Sequence, residues 1–395
     1  MFKKGNILFI VVFLFGLLLP DNNISYIIIG ASPIVLFLSL KNKSQFKPDK
    51  NLLAFFAIIS ISFIFTAFTD YGLETKQVLR YFSFSAIILL FPFCPKIRIP
   101  NWVLYFALIY IVLSQLAFSI GISSIVSFID VYYPYQGDKL GYNSEYLLSG
   151  AGDIDFILNR RYGGIYRNPN QAVRYVTFLF IVFLIENEKL NLFKKMPFII
   201  IVFISIMISG SRTGFLVTLL IILYNIFLLN KKNIQFGMIF TGILILSGMG
   251  ILFSFLSEFD LRIFKISEGG NDSFSSKFDF FAYYFNQLYS PVKALIGNFS
   301  NENILELYGL SQLDSEWGEL FYSFGILGCI TLFLFYRKLY IQGDSRIRFF
   351  MLILLWGMTS TILFSFKMGF LFMLLLSKYY NEYLKNKIKY GSKNF

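Results

Sequence analysis

Lysine and arginine alternate along this chain in a way that leaves little choice of fold. Twelve apolar stretches follow one another, and almost all the basic residues between them gather on every second connection. A helix needs about 20 apolar residues to cross hydrocarbon, where its backbone must satisfy its own hydrogen bonds. The spacing predicts spans over 5–20, 24–40, 51–69, 77–94, 101–121, 170–186, 196–209, 212–230, 234–256, 316–336, 347–364 and 366–380. With Lys3 and Lys4 placed inside, the inner connections hold 22 basic residues and five acids, Asp49, Glu186, Glu188, Asp344 and Glu382. The other 18 acids fall at the outer side. That is a positive-inside pattern, and an even number of spans puts both termini in the cytoplasm. The expected fold is an all-α polytopic membrane protein: one integral membrane domain over 1–395, with about twelve transmembrane helices.

Composition closes off other classes. Hydrophobic residues make up 56% of the chain and charged ones 15%, too apolar a balance for a soluble protein. The net charge of +12 is then a topology signal, with anionic lipid headgroups as neighbours of the inner face. It does not argue for nucleic acid. No small-residue cleavage site follows the first stretch, which reads as a retained helix. His is absent, and Cys94 and Cys329 stand far apart. Neither a disulfide framework nor a transition-metal site is expected. No Walker loop or soluble nucleotide-binding domain is present, so the chain itself does not draw on ATP, and no cofactor is expected.

Two connections are long, 122–169 and 257–315, and both face outward in this topology. Loops of that length are usually functional or disordered. The first holds seven tyrosines and ends in Arg160-Arg161-Tyr-Gly-Gly-Ile-Tyr-Arg167-Asn168-Pro169-Asn170-Gln-Ala-Val-Arg174. Asn168 before Pro169 marks a helix start, a polar N-cap followed by proline at the first helical position. Asn170 and Arg174 lie four apart and share a helix face. Backbone N–H groups, a positive helix end and up to four arginines would converge there, which is how proteins hold phosphate. The plainer reading is a capped helix with arginines snorkelling to the interface.

A second motif, Ser209-Gly-Ser211-Arg212-Thr-Gly214, forms a short outer hinge. Ser209 or Ser211 can cap the next helix, and Gly210 and Gly214 permit close approach of a ligand or another backbone. Arg212 in a first turn opposes the macrodipole, at a cost of ~0.3–1 kcal/mol unless an anion compensates. The third motif is Asp314-Ser-Glu316-Trp-Gly-Glu, then Phe324-Gly325-Ile-Leu-Gly328. Acids in a first turn suit the dipole, so capping is one reading. The other makes Asp314 or Glu316 a general base, because without His only Asp, Glu, Tyr or Lys can take a proton from a hydroxyl. Arg80 and Lys367 also reach the outer boundary, where each reads as a snorkelled anchor.

Taken together and in this order, the three motifs resemble the O-antigen polymerase and ligase superfamily of bacterial envelopes, the Wzy and WaaL-like proteins. The resemblance implies a GT-C-like membrane fold with two large extracytoplasmic loops. It implies an inverting, metal-independent glycosyltransferase of the bacterial cytoplasmic membrane. Donor and acceptor would be oligosaccharides on undecaprenyl diphosphate, with a chain-length regulator and a flippase of the same pathway as partners. It gives Arg161, Arg167, Arg174 and Arg212 the carrier diphosphate, supported by Arg160, Asn170 and Ser211, and gives Asp314 the base position. Ligases of this kind carry His where Asp314 stands, which favours a polymerase over a ligase. A flippase of lipid-linked sugars would also need many helices and arginines near a phosphate. It would call for ionisable residues at mid-membrane and matching interrupted helices in two halves. Mid-span charge is nearly absent here, and the unusual residues gather on one face.

Overall fold

The computed structural model describes residues 4–20, 25, 27–31, 49–69, 81, 85, 98–133, 161–229, 291–297, 316–358 and 365–391. Among these, every regular element is helical. Three helices, over Lys50–Phe68, Asn101–Ile120 and Leu320–Gln342, are long and apolar enough to cross a membrane. The expected span 24–40 lies mostly, 77–94 almost wholly and 234–256 wholly outside the described residues. Of the two long outer loops, only 122–133, 161–169 and 291–297 are described. The chain divides into a middle unit, Ile99–Gly270, and a flanking unit, Met1–Arg98 with Asn271–Phe395.

In order along the chain the helices are α1 (Lys4–Leu18), α2 (Lys50–Thr69), α3 (Asn101–Ile120), α4 (Ser123–Tyr132), α5 (Pro169–Glu186) and α6 (Leu192–Ser209). They continue with α7 (Arg212–Leu229), α8 (Pro291–Ile296), α9 (Glu316–Gln342), α10 (Ser345–Phe350) and α11 (Phe366–Gly391). Short 3-10 turns occupy Gly164–Tyr166 and Met351–Met358.

The middle unit is built around α5. From Ala172 to Ile185 every side chain of this helix is buried, as expected of a helix apolar on all sides. It packs against α3, α6 and α7, and the Gly164–Tyr166 turn rests on α3 and α5. The outward sides of these helices are apolar, unlike those of a water-soluble bundle. On α3 the exposed residues are Trp102, Phe106, Ile109, Leu113 and Ile120, while Ser114, Gln115 and Ser119 are buried. On α6, Phe193, Met196, Ile200 and Ile204 point out and Ser205 and Ser209 point in. Inside, Ser205 Oγ donates to Gln115 Oε1 at 2.6 Å, and Gln115 Nε2 donates to the Tyr162 carbonyl at 3.2 Å. Apolar stripes turned outward and small polar residues bonded between helices are what a bilayer selects, because lipid gives apolar side chains no reason to hide.

In the flanking unit α1 packs on α11, and α2 on α9. The C-terminal end of α8 meets α9 at a break. Gly325 has φ 61° and ψ −169°, a conformation essentially reserved for glycine. A Cβ on Gly325 would overlap the Leu295 carbonyl and the Gly297 nitrogen, and one on Gly297 would overlap the backbone of Ser323 and Phe324. The two glycines thus let two backbones touch. Near the break, the Ser62 hydroxyl donates to the Ser323 carbonyl at 2.6 Å, which satisfies a polar group where apolar surroundings offer no water.

Helix boundaries follow the sequence where caps are legible. Asn168 accepts from the N–H groups of Asn170 and Gln171, so α5 begins at Pro169 as expected. The start of α6 is corrected from 196 to Leu192, because Asn191 caps the Lys194 N–H and brings Lys194 and Lys195 into the helix. Lys367 is also corrected. It is buried rather than snorkelled, and its ammonium donates to the Leu19 carbonyl just beyond the end of α1, where a cation suits the dipole.

Candidate functional site

The first two motifs meet in the middle unit. The Arg161–Arg167 segment is threaded by glycines. A Cβ on Gly164, at φ +59°, would strike Ser114 Oγ and the Gln115 nitrogen, and one on Gly163 would strike the backbone at Arg167. Ser114 Oγ in turn accepts from the Ile165 N–H at 3.1 Å. The segment is thereby pressed onto α3, and the Tyr162 N–H donates to the Ile208 carbonyl near the end of α6. This carries Arg161 to the α6–α7 corner.

There Arg161 Nε donates to the Ser209 carbonyl at 3.3 Å, and Nη2 donates to Asn170 Oδ1 at 2.5 Å. The same Asn170 oxygen accepts from Ser211 Oγ at 3.1 Å. Ser211 Oγ also accepts from the Gly214 N–H at 3.2 Å and so caps α7. Of the two serines proposed as caps, Ser211 takes the role. Ser209 Oγ turns back to the Ile206 carbonyl. Gly210 supplies the left-handed residue that ends α6, at φ 56° and ψ 30°. Gly214 admits Val173 of α5, since a Cβ there would overlap Val173 Cγ1. Its role is therefore close packing of α5 against α7, two helices whose N-termini are joined through Asn170 and Ser211.

Arg167 and Arg174 have contacts of their own. Arg167, at φ 56°, is 4% exposed and ion-paired through Nη2 with Asp130 of α4. Its guanidinium also lies 4.9 Å from the Phe118 ring centre, and its Nε donates to the Tyr133 carbonyl at 3.4 Å. Arg174 is buried within α5, its guanidinium 5.9 Å from the Tyr175 ring, which stacks on Tyr166 at 4.3 Å. Arg161, Asn170 and Ser211 are brought together in one cluster. Arg160 and Asp314 lie outside the described residues, as do the side chains of Arg212 and Glu316. The backbone of Arg212 opens α7 and that of Glu316 opens α9.

Asp130 and Gln115 are the residues that sequence reasoning missed. Asp130 lies on α4, inside the stretch read as the start of a loop. The pattern Ser-Ser-Ile-Val-Ser-Phe-Ile-Asp-Val-Tyr does alternate as a short amphipathic helix, and that period was the available signal. Tyr133 next to it is no candidate base. Burial, and then its hydrogen bond to Tyr110, push its phenol well above the ordinary tyrosine range. The cluster offers hydrogen-bond donors and two adjoining positive helix ends, a setting that favours an anion. No family model and no curated protein matches this chain.

Proposed function

We propose that this chain is a membrane-embedded, inverting, metal-independent glycosyltransferase that polymerises oligosaccharide repeats carried on undecaprenyl diphosphate. It would span the bacterial cytoplasmic membrane about twelve times in a GT-C-like arrangement, with both termini in the cytoplasm and the reaction at the outer face. The observation that carries the reading is the Arg161–Asn170–Ser211 cluster. Two motifs more than 30 residues apart are tied together by hydrogen bonds at the N-terminal ends of α5 and α7.

In this reading the donor diphosphate sits against Arg161 and the ends of α5 and α7, with Arg212 opening the second helix. A hydroxyl of the acceptor glycan attacks the anomeric carbon from the face opposite the diphosphate. The new C–O bond forms as the bond from carbon to phosphate oxygen breaks, and the electron pair leaves on the diphosphate. Cations and backbone N–H groups placed where that charge grows lower the barrier. The hydroxyl proton passes to a carboxylate, assigned to Asp314, with Glu316 as its alternative. Arg167, held by Asp130, serves to fix the segment between α4 and α5.

The test is synthesis of polymer by the purified protein from lipid-linked repeat alone. Wild type should give a ladder of chain lengths, and Asp314→Asn should give none at equal membrane abundance. Equal ladders from both would remove Asp314 as the base. Transfer to a different acceptor without chain growth would make the protein a ligase. Movement of intact lipid-linked repeat across the bilayer without transfer would make it a flippase.

A further inference from the structure

At the far end of α5 from the Arg161 cluster, about 27 Å away along an 18-residue helix, the middle unit buries a second cation. Lys195 is 0% exposed. Its ammonium has no hydrogen-bond partner among the described residues, and Glu188 acts on it without reaching contact. Lys195 is the fourth residue of α6. Side chains on a helix lean toward its N-terminus, so this long chain runs back over the first turn, where backbone N–H groups and the positive dipole end already lie. One turn further on, Phe198 stacks flat on Phe183 at 4.0 Å and edge-on to Tyr105 at 5.1 Å. The polar pair at this end, Asn101 and Asn187, satisfy each other in reciprocal hydrogen bonds of 2.9 and 2.8 Å. Neither bonds to Lys195.

A buried ammonium beside a helix N-terminus is a charge set against its surroundings until an anion joins it. On the outside of the same turn stands exposed Lys194, with exposed Lys189 in the connection before α6, then Phe193, which is 86% exposed, and the outward stripe of Met196 and Ile200. Basic groups beside a bare apolar stripe match a molecule with a phosphate head and acyl tails. We infer that Lys195 and the first turn of α6 hold the phosphate of an anionic phospholipid, whose acyl chains lie along Phe193, Met196 and Ile200. A soluble phosphate would use the same cation and helix end but would leave that stripe uncovered. The site is independent of the glycosyl-transfer reading.

The probes are phosphatidylglycerol, phosphatidylcholine and inorganic phosphate, presented to the full-length protein in neutral detergent. Native mass spectrometry counts retained lipid, and a thermal unfolding midpoint reports binding to the folded state. Wild type should retain phosphatidylglycerol at least tenfold better than phosphatidylcholine, with a raised midpoint. Lys195→Met should reduce that preference to within twofold, while Lys194→Met, at an exposed position, should keep most of it. If Lys195→Met does not fold, Phe193→Ser probes the tail stripe and should also shorten lipid retention. Unchanged retention in Lys195→Met would overturn the site. A midpoint raised equally by inorganic phosphate and phosphatidylglycerol would overturn the lipid as its ligand and leave a soluble phosphate.

Discussion

The corner at Gly210 and the break at Gly325 both rest on a glycine with positive φ, yet they are held in opposite ways. At Gly210 side chains do the holding. Arg161, Asn170 and Ser211 bridge the end of α6 and the starts of α5 and α7, and a Cβ on the glycine would lie 3.3 Å from Arg161 Cγ, a contact the flexible arginine can relieve. At Gly325 backbone does the holding, with Leu295 and Gly297 pressed against α9 and no side chain to yield. A corner built from side chains exposes donors that a ligand can meet, whereas a corner built from backbone contact only fixes geometry. That difference favours the middle unit as the place of the proposed anion site and leaves the flanking unit's break a shaping role.

Substitutions at the two corners should differ sharply in effect. Gly325→Ala forces a Cβ into backbone at a φ/ψ that only glycine adopts easily. We expect a loss of ~3 kcal/mol or more, read as a collapse in membrane abundance and in the detergent unfolding midpoint. Normal abundance would show that the two backbones can part. Asn170→Ala removes the acceptor shared by Arg161 and Ser211. Hydrogen bonds to charged groups contribute ~1.5–3 kcal/mol, so the midpoint should fall by several degrees and transfer activity should fall with it. Retained activity would detach the cluster from function.

Gly210→Ala is the milder counterpart of Gly325→Ala. Alanine in the left-handed region costs ~1 kcal/mol, and the nearest neighbour can move. A midpoint shift as large as that of Gly325→Ala would erase the distinction drawn between the two corners. Leu113→Ala, on the outward stripe of α3, should change stability by under ~0.5 kcal/mol in lipid, since truncation there opens no interior cavity. A loss of 2 kcal/mol or more would place Leu113 against protein instead of lipid.

The residues differ in how plainly they spoke from the sequence. Asn168-Pro169 announced the start of α5 because cap and proline are local chemistry, and the structure places them so. The grouping of Arg161 with Asn170 and Ser211 was approachable because unusual residues recurred beside two helix starts. The ion pair of Arg167 with Asp130 was out of reach, since Asp130 belongs to a helix that hydropathy alone reads as loop. Gly325 stood out as part of the third motif, but its break in the helix did not. A single glycine leaves apolar periodicity intact, and its meaning lies in Gly297, which is distant in sequence. Lys367 was placed at the interface because charge is expensive in hydrocarbon, but a helix C-terminal carbonyl offers such a cation an alternative to water.

The central question is whether Arg161 and Arg212, from different motifs, serve one diphosphate. A double-mutant cycle on polymer synthesis by purified protein tests this directly, with Arg161→Ala, Arg212→Ala and the pair compared at matched folding. If both arginines hold the same departing group, each single change should slow extension at least a hundredfold, and the pair should be little slower than the worse single, as for groups acting as a unit. Full ladders from both single variants, or two losses that simply multiply, would contradict a shared site.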